Sequence, residues 1–294
     1  MNIFGIIRNI VKHPFNKGSG LKAISAFGKW QINNLLNPYP VLYPLTGKST
    51  IIAFKGLTGV TGNIYCGLLE FADMGFLLHF LRPSDLFIDI GANAGVYTVL
   101  SSADIGASTI AVEPIPDTFN LLVQNTNING VQEKVTLYNI ALGREAGKLS
   151  FTKNLDTVNH VVTAGDDTTD VVEVEVKILD ELCSNRSPAL IKIDVEGFES
   201  EVLEGAAGVL QQPALKAIII ELNGSGARYG TDENKIHLKL LGLGFEPYTY
   251  EPFSRQLTKL KTFSTHNTIY VRDYDYVQQR IVSAAKVRVR HKQF

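Results

Sequence analysis

From Leu68 to Leu81 apolar residues recur at helical spacing, which predicts a helix, and Pro83 ends it before the unbroken apolar run LFIDI. A run without polar alternation marks a strand covered on both faces, as in a parallel sheet. The period then switches repeatedly: a helix at 96–104, strand TIAVE, a helix at 116–128, strand KVTLYNI, hairpin strands near 148–152 and 171–178, and strand ALIKIDV. A helix at 198–210, strand LKAIIIEL, a helix at 232–241 and strands near 245–250 and 268–272 complete the series. Alternating strand and helix predicts an α/β fold with a doubly wound, mostly parallel seven-stranded sheet and an antiparallel pair at its edge. LFIDI, TIAVE, KVTLYNI, ALIKIDV and LKAIIIEL are its first to fifth core strands.

Ahead of this series the pattern is weaker. Between Pro14 and Pro44 the chain is punctuated by Pro and Gly, after which STIIAF reads as a short strand. The opening MNIFGIIRNIVKHPF predicts a helix with Ile3, Ile7, Ile10 and Val11 on one face and Arg8 and Lys12 near its edge. Such a helix suits docking on its own domain or lying on an anionic surface. The expected organisation is an N-terminal extension at 1–69, a core domain at 70–272 and a basic tail at 273–294.

Composition sharpens this division. The chain has 294 residues, 45% of them apolar, which excludes a disordered or fibrous protein. Its 28 Lys and Arg against 29 Asp and Glu leave a net charge of -1, so no global field for nucleic acid exists. Yet residues 1–69 hold seven basic residues and no acid, and five more basic residues with no acid follow Asp275, so an acidic body stands between two basic ends. Cys66 and Cys183 form neither a disulfide framework nor a zinc pattern, which fits a reducing cytoplasm, and no stretch reaches the length of a membrane span.

The chemistry begins where the first strand ends. Asp89-Ile90-Gly91-Ala92-Asn93-Ala94-Gly95 leads into a helix, so its glycines let the backbone turn tightly and approach a ligand at the carboxyl edge of the sheet. The spacing is GxxxG, with Asn93 where a dinucleotide fingerprint has its second glycine, which disfavours a pyrophosphate. Twenty-two residues after Gly91, the second strand ends in Glu113, whose carboxylate can accept both hydrogen bonds of a ribose diol. The ligand expected is ribose-bearing and lacks a pyrophosphate. TGKST at 46–50 imitates the end of a P-loop but lacks its leading glycine and reads as a hairpin turn, and NPYP at 37–40 reads as loop.

Taken together, DIGANAGVYT at 89–98, AVEPIPDTFNLLVQNTNING at 111–130, NIALGREAGKLSF at 139–151, LIKIDVEGFESEVLEGA at 190–206 and IIIELN at 218–223 resemble the FkbM-type S-adenosylmethionine-dependent methyltransferases, a branch of the class I, Rossmann-like fold. GLTGVTGNIYCGLLEF at 56–71 is similar to the segment that precedes the core in some members. The resemblance covers about residues 57–272. It implies S-adenosyl-L-methionine as cofactor, with Asp89, Gly91, Asn93 and Gly95 holding its methionine moiety, Glu113 its ribose and Asn139 the adenine edge.

Lys192, Asp194 and Glu196 share one parity of the fourth strand, so Lys192 is expected to be an ion-pair partner in the sheet, near Asp89 and Glu221. Asp194 and Glu196 reach the carboxyl edge, where either could orient or deprotonate a nucleophile. His160, in the polar stretch Asp156-Thr157-Val158-Asn159-His160, is the rival for that role, and a surface histidine is its ordinary reading. No metal site is expected. The function expected is methylation of an oxygen on a sugar, glycan or natural-product acceptor, by a cytoplasmic protein able to rest peripherally on an anionic membrane. The alternatives are a catalytically silent cofactor-binding module, an RNA methyltransferase, with nucleic acid disfavoured by the acidic body, and a nicotinamide-dependent oxidoreductase, which lacks its glycine.

Overall fold

Five parallel strands form the centre of the sheet in the computed structural model, which describes residues 3–153, 159–163 and 170–294. In spatial order the sheet runs Gln256–Lys259, Glu246–Glu251, Asn267–Val271, Ala217–Glu221, Leu190–Ile193, Leu86–Ile90, Ser108–Val112, Val135–Tyr138. The five from Ala217–Glu221 to Val135–Tyr138 pair in parallel, and the remaining three add antiparallel at one edge. The sequence predicts seven of these. The eighth, Gln256–Lys259, extends the edge as a hairpin partner of Glu246–Glu251.

Burial explains the unbroken apolar runs. Phe87, Leu190, Ala217 and Ile219 pack on one face of the sheet, and Ile88, Ile90, Ile191, Ile193, Ile218 and Ile220 pack on the other. The exceptions lie side by side: Asp89 on the first strand and Lys192 on the fourth are register partners, and both are buried. The helix Phe71–Phe80 is apolar nearly all round and is buried against this sheet, as expected of a helix with no solvent face.

The helix expected at 198–210 is two helices, Glu199–Glu204 and Ala207–Gln211. A Cβ on the intervening Gly205 would lie 2.0 Å from the carbonyl oxygen of Gly143, so the chain breaks where that loop presses on it. The helix expected at 96–104 begins as Val96–Val99 and continues as a π-helical turn, Leu100–Ile105. The hairpin strands are Gly147–Thr152 and Val171–Lys177, and with Ala141–Leu142 they form a separate small sheet.

Residues before the core carry more structure than their Pro and Gly content predicts. A helix at Ile3–Lys12 precedes a longer one at Gly20–Leu36, and Thr58–Cys66 is helical as well. The strands Val41–Pro44 and Thr50–Ala53 form a hairpin closed by TGKS, so the P-loop imitation is a turn, as expected. Phe15, Trp30, Leu45, Ile51 and Val60 belong to the same apolar cluster as the sheet residues Phe87 and Leu190. At the other end, the helix Tyr274–Ser283 ties back through Arg280 to Asp85, and Phe294 packs edge-on against Phe71 and His79. Among the described residues no helix is long and apolar enough to cross a membrane.

Candidate active site

Where the first, second, fourth and fifth strands end, a cavity of 360 Å³ opens. Gly91, Asn93 and Glu113 line one part of it, and Asp194, Glu196 and Glu221 line another. Gly91 sits at φ +74, and a Cβ there would lie 1.8 Å from the carbonyl oxygen of Asp194, so only glycine lets the first and fourth strands end this close together. Asn93 is also left-handed, at φ 51, a conformation Asn tolerates better than most residues. Gly95, at φ +86, caps the helix that starts at Val96 and lies beneath the lining, packed on Leu122.

Glu113 is buried and accepts two backbone hydrogen bonds, from the N–H of Asn93 at 2.9 Å and from that of Ile115 at 2.9 Å. Each oxygen keeps acceptor capacity for a further donor. Burial pushes this carboxyl up to about 7, and the two N–H donors oppose that rise. Asn139 does not line the cavity. Its amide donates to the carbonyls of Glu113 and Pro114, at 2.8 and 2.9 Å, and so holds the end of the second strand. Asp89 is also below the lining, where one oxygen accepts from the Thr98 hydroxyl at 2.6 Å and the other has no hydrogen-bond partner among the described residues.

Lys192 connects the floor to the rim. Its ammonium donates to Asp194 at 2.9 Å and lies 4.9 Å from the centre of the Tyr97 ring. Burial alone would lower its pKa, but the carboxylates of Asp194, Asp89 and Glu70 outweigh burial and raise it overall. Lys192 therefore stays charged and serves as the counter-ion of this carboxylate group, as its strand parity predicts.

Oxygens of Asp194, Glu196 and Glu221 all lie within 4.8 Å of one another, close enough to share one cation, metallic or organic. With like charges crowded at a partly desolvated edge, one or more of the three must hold a proton near neutrality. Burial, then Asp194, push Glu196 up to about 7, and burial, then Asp194 and Glu196, push Glu221 up to about 8. Glu196 is held at φ 54, a strained backbone for a non-glycine residue. The next residue, Gly197, is at φ +103 and has the carbonyl of Ser225 2.6 Å from where a Cβ would lie, so the turn cannot relax outward. Glu199 locks it from inside by accepting from the N–H of Val195 and Gly197.

Phe151, Asn159 and Phe198 also line the cavity. His160 is buried rather than on the surface, because the strand pairing of Phe151 with Val161 draws its segment inward and its N–H donates to the Thr152 hydroxyl at 3.0 Å. It is not a lining residue, but its charge acts on Glu196. Asp156, Thr157 and Val158 lie outside the described residues. Tyr229 ties the His160 segment to the one after the fifth strand by donating to the carbonyl of Val161 at 2.9 Å.

Of the residues expected at the site, Gly91, Asn93, Glu113, Asp194 and Glu196 thus share one cavity, whereas Asp89, Gly95, Asn139 and His160 stand behind it. Glu70 and Tyr97 line it without having been expected. Glu70, bonded to the Asn267 amide at 2.8 Å, is the first acid after 69 acid-free residues, and that was its one signal in the sequence.

Residues 89–247 match the Methyltransferase FkbM domain family. Among curated proteins, the chain is 30% identical over 150 residues to the Hexuronic acid methyltransferase AglP of Haloferax volcanii, which covers 50% of this chain and 59% of that protein. It is 29% identical over 199 residues to Methyltransferase 1 of Beauveria bassiana, covering 58% of this chain and 78% of that one. The chain therefore spans less than two thirds of the length of the first of these relatives. A solved FkbM methyltransferase from Methylobacillus flagellatus is 15% identical with a TM-score of 0.45, over 72% of this chain and 52% of that one.

Proposed function

Because the chain belongs to the FkbM family of S-adenosylmethionine-dependent methyltransferases, we propose that it methylates a hydroxyl group on a sugar or glycan at the acid-lined cavity. The observation that carries this reading is that one cavity is lined both by Glu113 and by the close group Asp194, Glu196 and Glu221. The donor and acceptor set fits the cofactor. A buried carboxylate with spare acceptor capacity suits a ribose diol, and a crowded anionic edge suits a ligand carrying a sulfonium and an ammonium. When bound, the cofactor supplies an already activated methyl group.

What remains for the chain is placement, exclusion of water and removal of one proton. Gly91 and Asn93 bring backbone to the methionine part, and Gly95 and Asp89 support that loop from below. Asn139 spends both amide hydrogens on the carbonyls of Glu113 and Pro114 and stands behind the lining, so on this reading it positions the strand end beside the adenine without bonding its edge. Asp194, held by Lys192, orients, and Glu196 takes the hydroxyl proton, with His160 acting on it through its charge. Phe151 and Phe198 give the wall apolar surface that excludes water. The likeness to a hexuronic acid methyltransferase supports a sugar acceptor.

Incubating the chain with the cofactor and with uronic acids or lysate glycans should yield a product heavier by one methylene, with the new carbon on oxygen by tandem mass spectrometry. Methyl found on nitrogen or in RNA would overturn the assignment of acceptor. Replacing Glu113 by Ala should weaken S-adenosylhomocysteine binding about 10- to 100-fold, the loss of some 1.5–3 kcal/mol from charge-assisted hydrogen bonds. Calorimetry on a variant with native circular dichroism measures this, and an unchanged affinity would remove Glu113 from the ribose site.

A further inference from the structure

Two stretches of sequence far apart, both basic and both free of acids, meet on one surface. The hairpin of Arg288–Val289 and Lys292–Gln293 lies beside the start of the helix Gly20–Leu36, where the Lys292 ammonium donates to the carbonyls of Phe15 and Lys17 at 2.5 and 2.8 Å. His291 is exposed there, and its pKa is lowered by partial burial and by the cations Lys22, Arg290 and Lys292. Among the described residues no carboxylate contributes to that shift. Residues 1–69 and 276–294 together hold twelve Lys and Arg and no acid. Arg280 among them is paired with Asp85, but Lys22, Arg290 and Lys292 gather around His291 with no carboxylate ion pair among the described residues, and such a cation cluster calls for an anionic partner.

The same helix carries a second, independent feature. Its inward face buries Ala23, Phe27 and Trp30. Its outward face repeats at helical spacing through Leu21, Ser25, Lys29, Ile32 and Leu36, all exposed, with Leu21 at 85% and Leu36 at 79%. Leu35, on the same turn as Leu36, is exposed too. Large apolar side chains interleaved with lysines on an outward helix face are what an interfacial helix presents to headgroups and the acyl boundary. A soluble polyanion such as RNA would use the lysines and leave the leucines and isoleucine without a partner.

We propose that the outward face of the helix Gly20–Leu36, with the adjoining Arg290–Lys292 turn, docks the protein on an anionic lipid bilayer. Lysines give the attraction to anionic headgroups, and Leu21, Ile32, Leu35 and Leu36 enter the boundary region. Neither group is part of the cavity, so this inference stands apart from the reading of the acceptor.

Co-sedimentation of the full chain with vesicles of phosphatidylcholine, and of phosphatidylcholine mixed with phosphatidylglycerol, tests it. Binding should be confined to the mixed vesicles and should weaken from low to physiological salt. The double variant Lys22→Gln, Lys29→Gln should bind about 25-fold less tightly, at roughly fivefold for each lysine near the surface. The variant Leu21→Ser, Leu36→Ser should lose about tenfold or more. Affinity for S-adenosylhomocysteine should stay unchanged in both, which reports that the fold is intact. Equal binding to both kinds of vesicle, or binding to neither, overturns the proposal. So does binding to mixed vesicles that both double variants leave intact, since another face would then be responsible.

Discussion

Lys192→Met should destabilise the protein by about 3–5 kcal/mol, the loss expected when one member of a buried ion cluster is removed and its partners are left uncompensated. Methionine fills much the same volume, so the loss is electrostatic. Asp89 has no solvent to turn to, and Asp194 loses its 2.9 Å ammonium partner. Already raised by burial, the Asp89 carboxyl should rise further. A carboxyl whose folded pKa lies above its unfolded value supports stability below the unfolded pKa and loses that support as pH rises through the folded one. The deficit of the variant should therefore be small near pH 5 and grow towards pH 8, as read from denaturant midpoints. Adding Asp89→Asn should recover a good part of it, giving a coupling energy that two independent sites would not show. A midpoint unchanged at both pH values would mean that Lys192 is not the counter-ion of this cluster.

That cluster also marks what the sequence could and could not reveal. Parallel strands covered on both faces impose apolar residues on every position, so LFIDI, ALIKIDV and LKAIIIEL are legible without any partner, and the polar exceptions at positions 89 and 192 stand out against them. Strand parity alone puts Lys192 among carboxylates. The helix Gly20–Leu36 is not legible in the same way, because it owes its place to Ala23, Phe27 and Trp30 packing on other elements, while Gly20 and Gly28 read as punctuation. Gly28 costs helix propensity but meets no neighbour, and tertiary packing overrides that cost. The break at Gly205 is hidden for a related reason, since it depends on a carbonyl 62 residues away.

Site residues divide along the same line. Gly91, Glu113, Asp194 and Glu196 end core strands, and in an α/β sheet the end of a strand is the edge where ligands gather, so order along the chain converts directly into place. Asp89 and Gly95 belong to the same motif but face the interior, and motif membership does not distinguish lining from support. His160 and Asn139 lie in connections, where orientation follows from hydrogen bonds that only the folded chain defines. Glu70 comes to the cavity from a helix before the first core strand, and no periodicity foretells that approach.

The division between lining and support favours Glu196 as the group proposed to take the proton. Glu196 lines the cavity, sits on a strained turn and is pushed up to about 7, close to the value that serves a general base at neutral pH. Glu196→Gln should therefore lower kcat by about 10²–10⁴-fold and leave S-adenosylhomocysteine affinity nearly intact. A base must be ionised to accept a proton, so the wild-type kcat/KM should rise with pH through about 7, and the variant should lose that limb. A cation bound against Asp194, Glu196 and Glu221 favours their ionised forms, so the limb in kcat should lie at lower pH than the limb in kcat/KM. His160→Ala should act differently. Its charge lowers the pKa of Glu196, so its removal should move the limb to higher pH with only a modest loss of rate. If His160→Ala instead abolishes the limb and turnover while Glu196→Gln is nearly silent, the histidine is the base and the carboxylate only orients. If both variants keep wild-type rates and profiles, the acceptor arrives already deprotonated, and placement in a dry cavity is all the chain supplies.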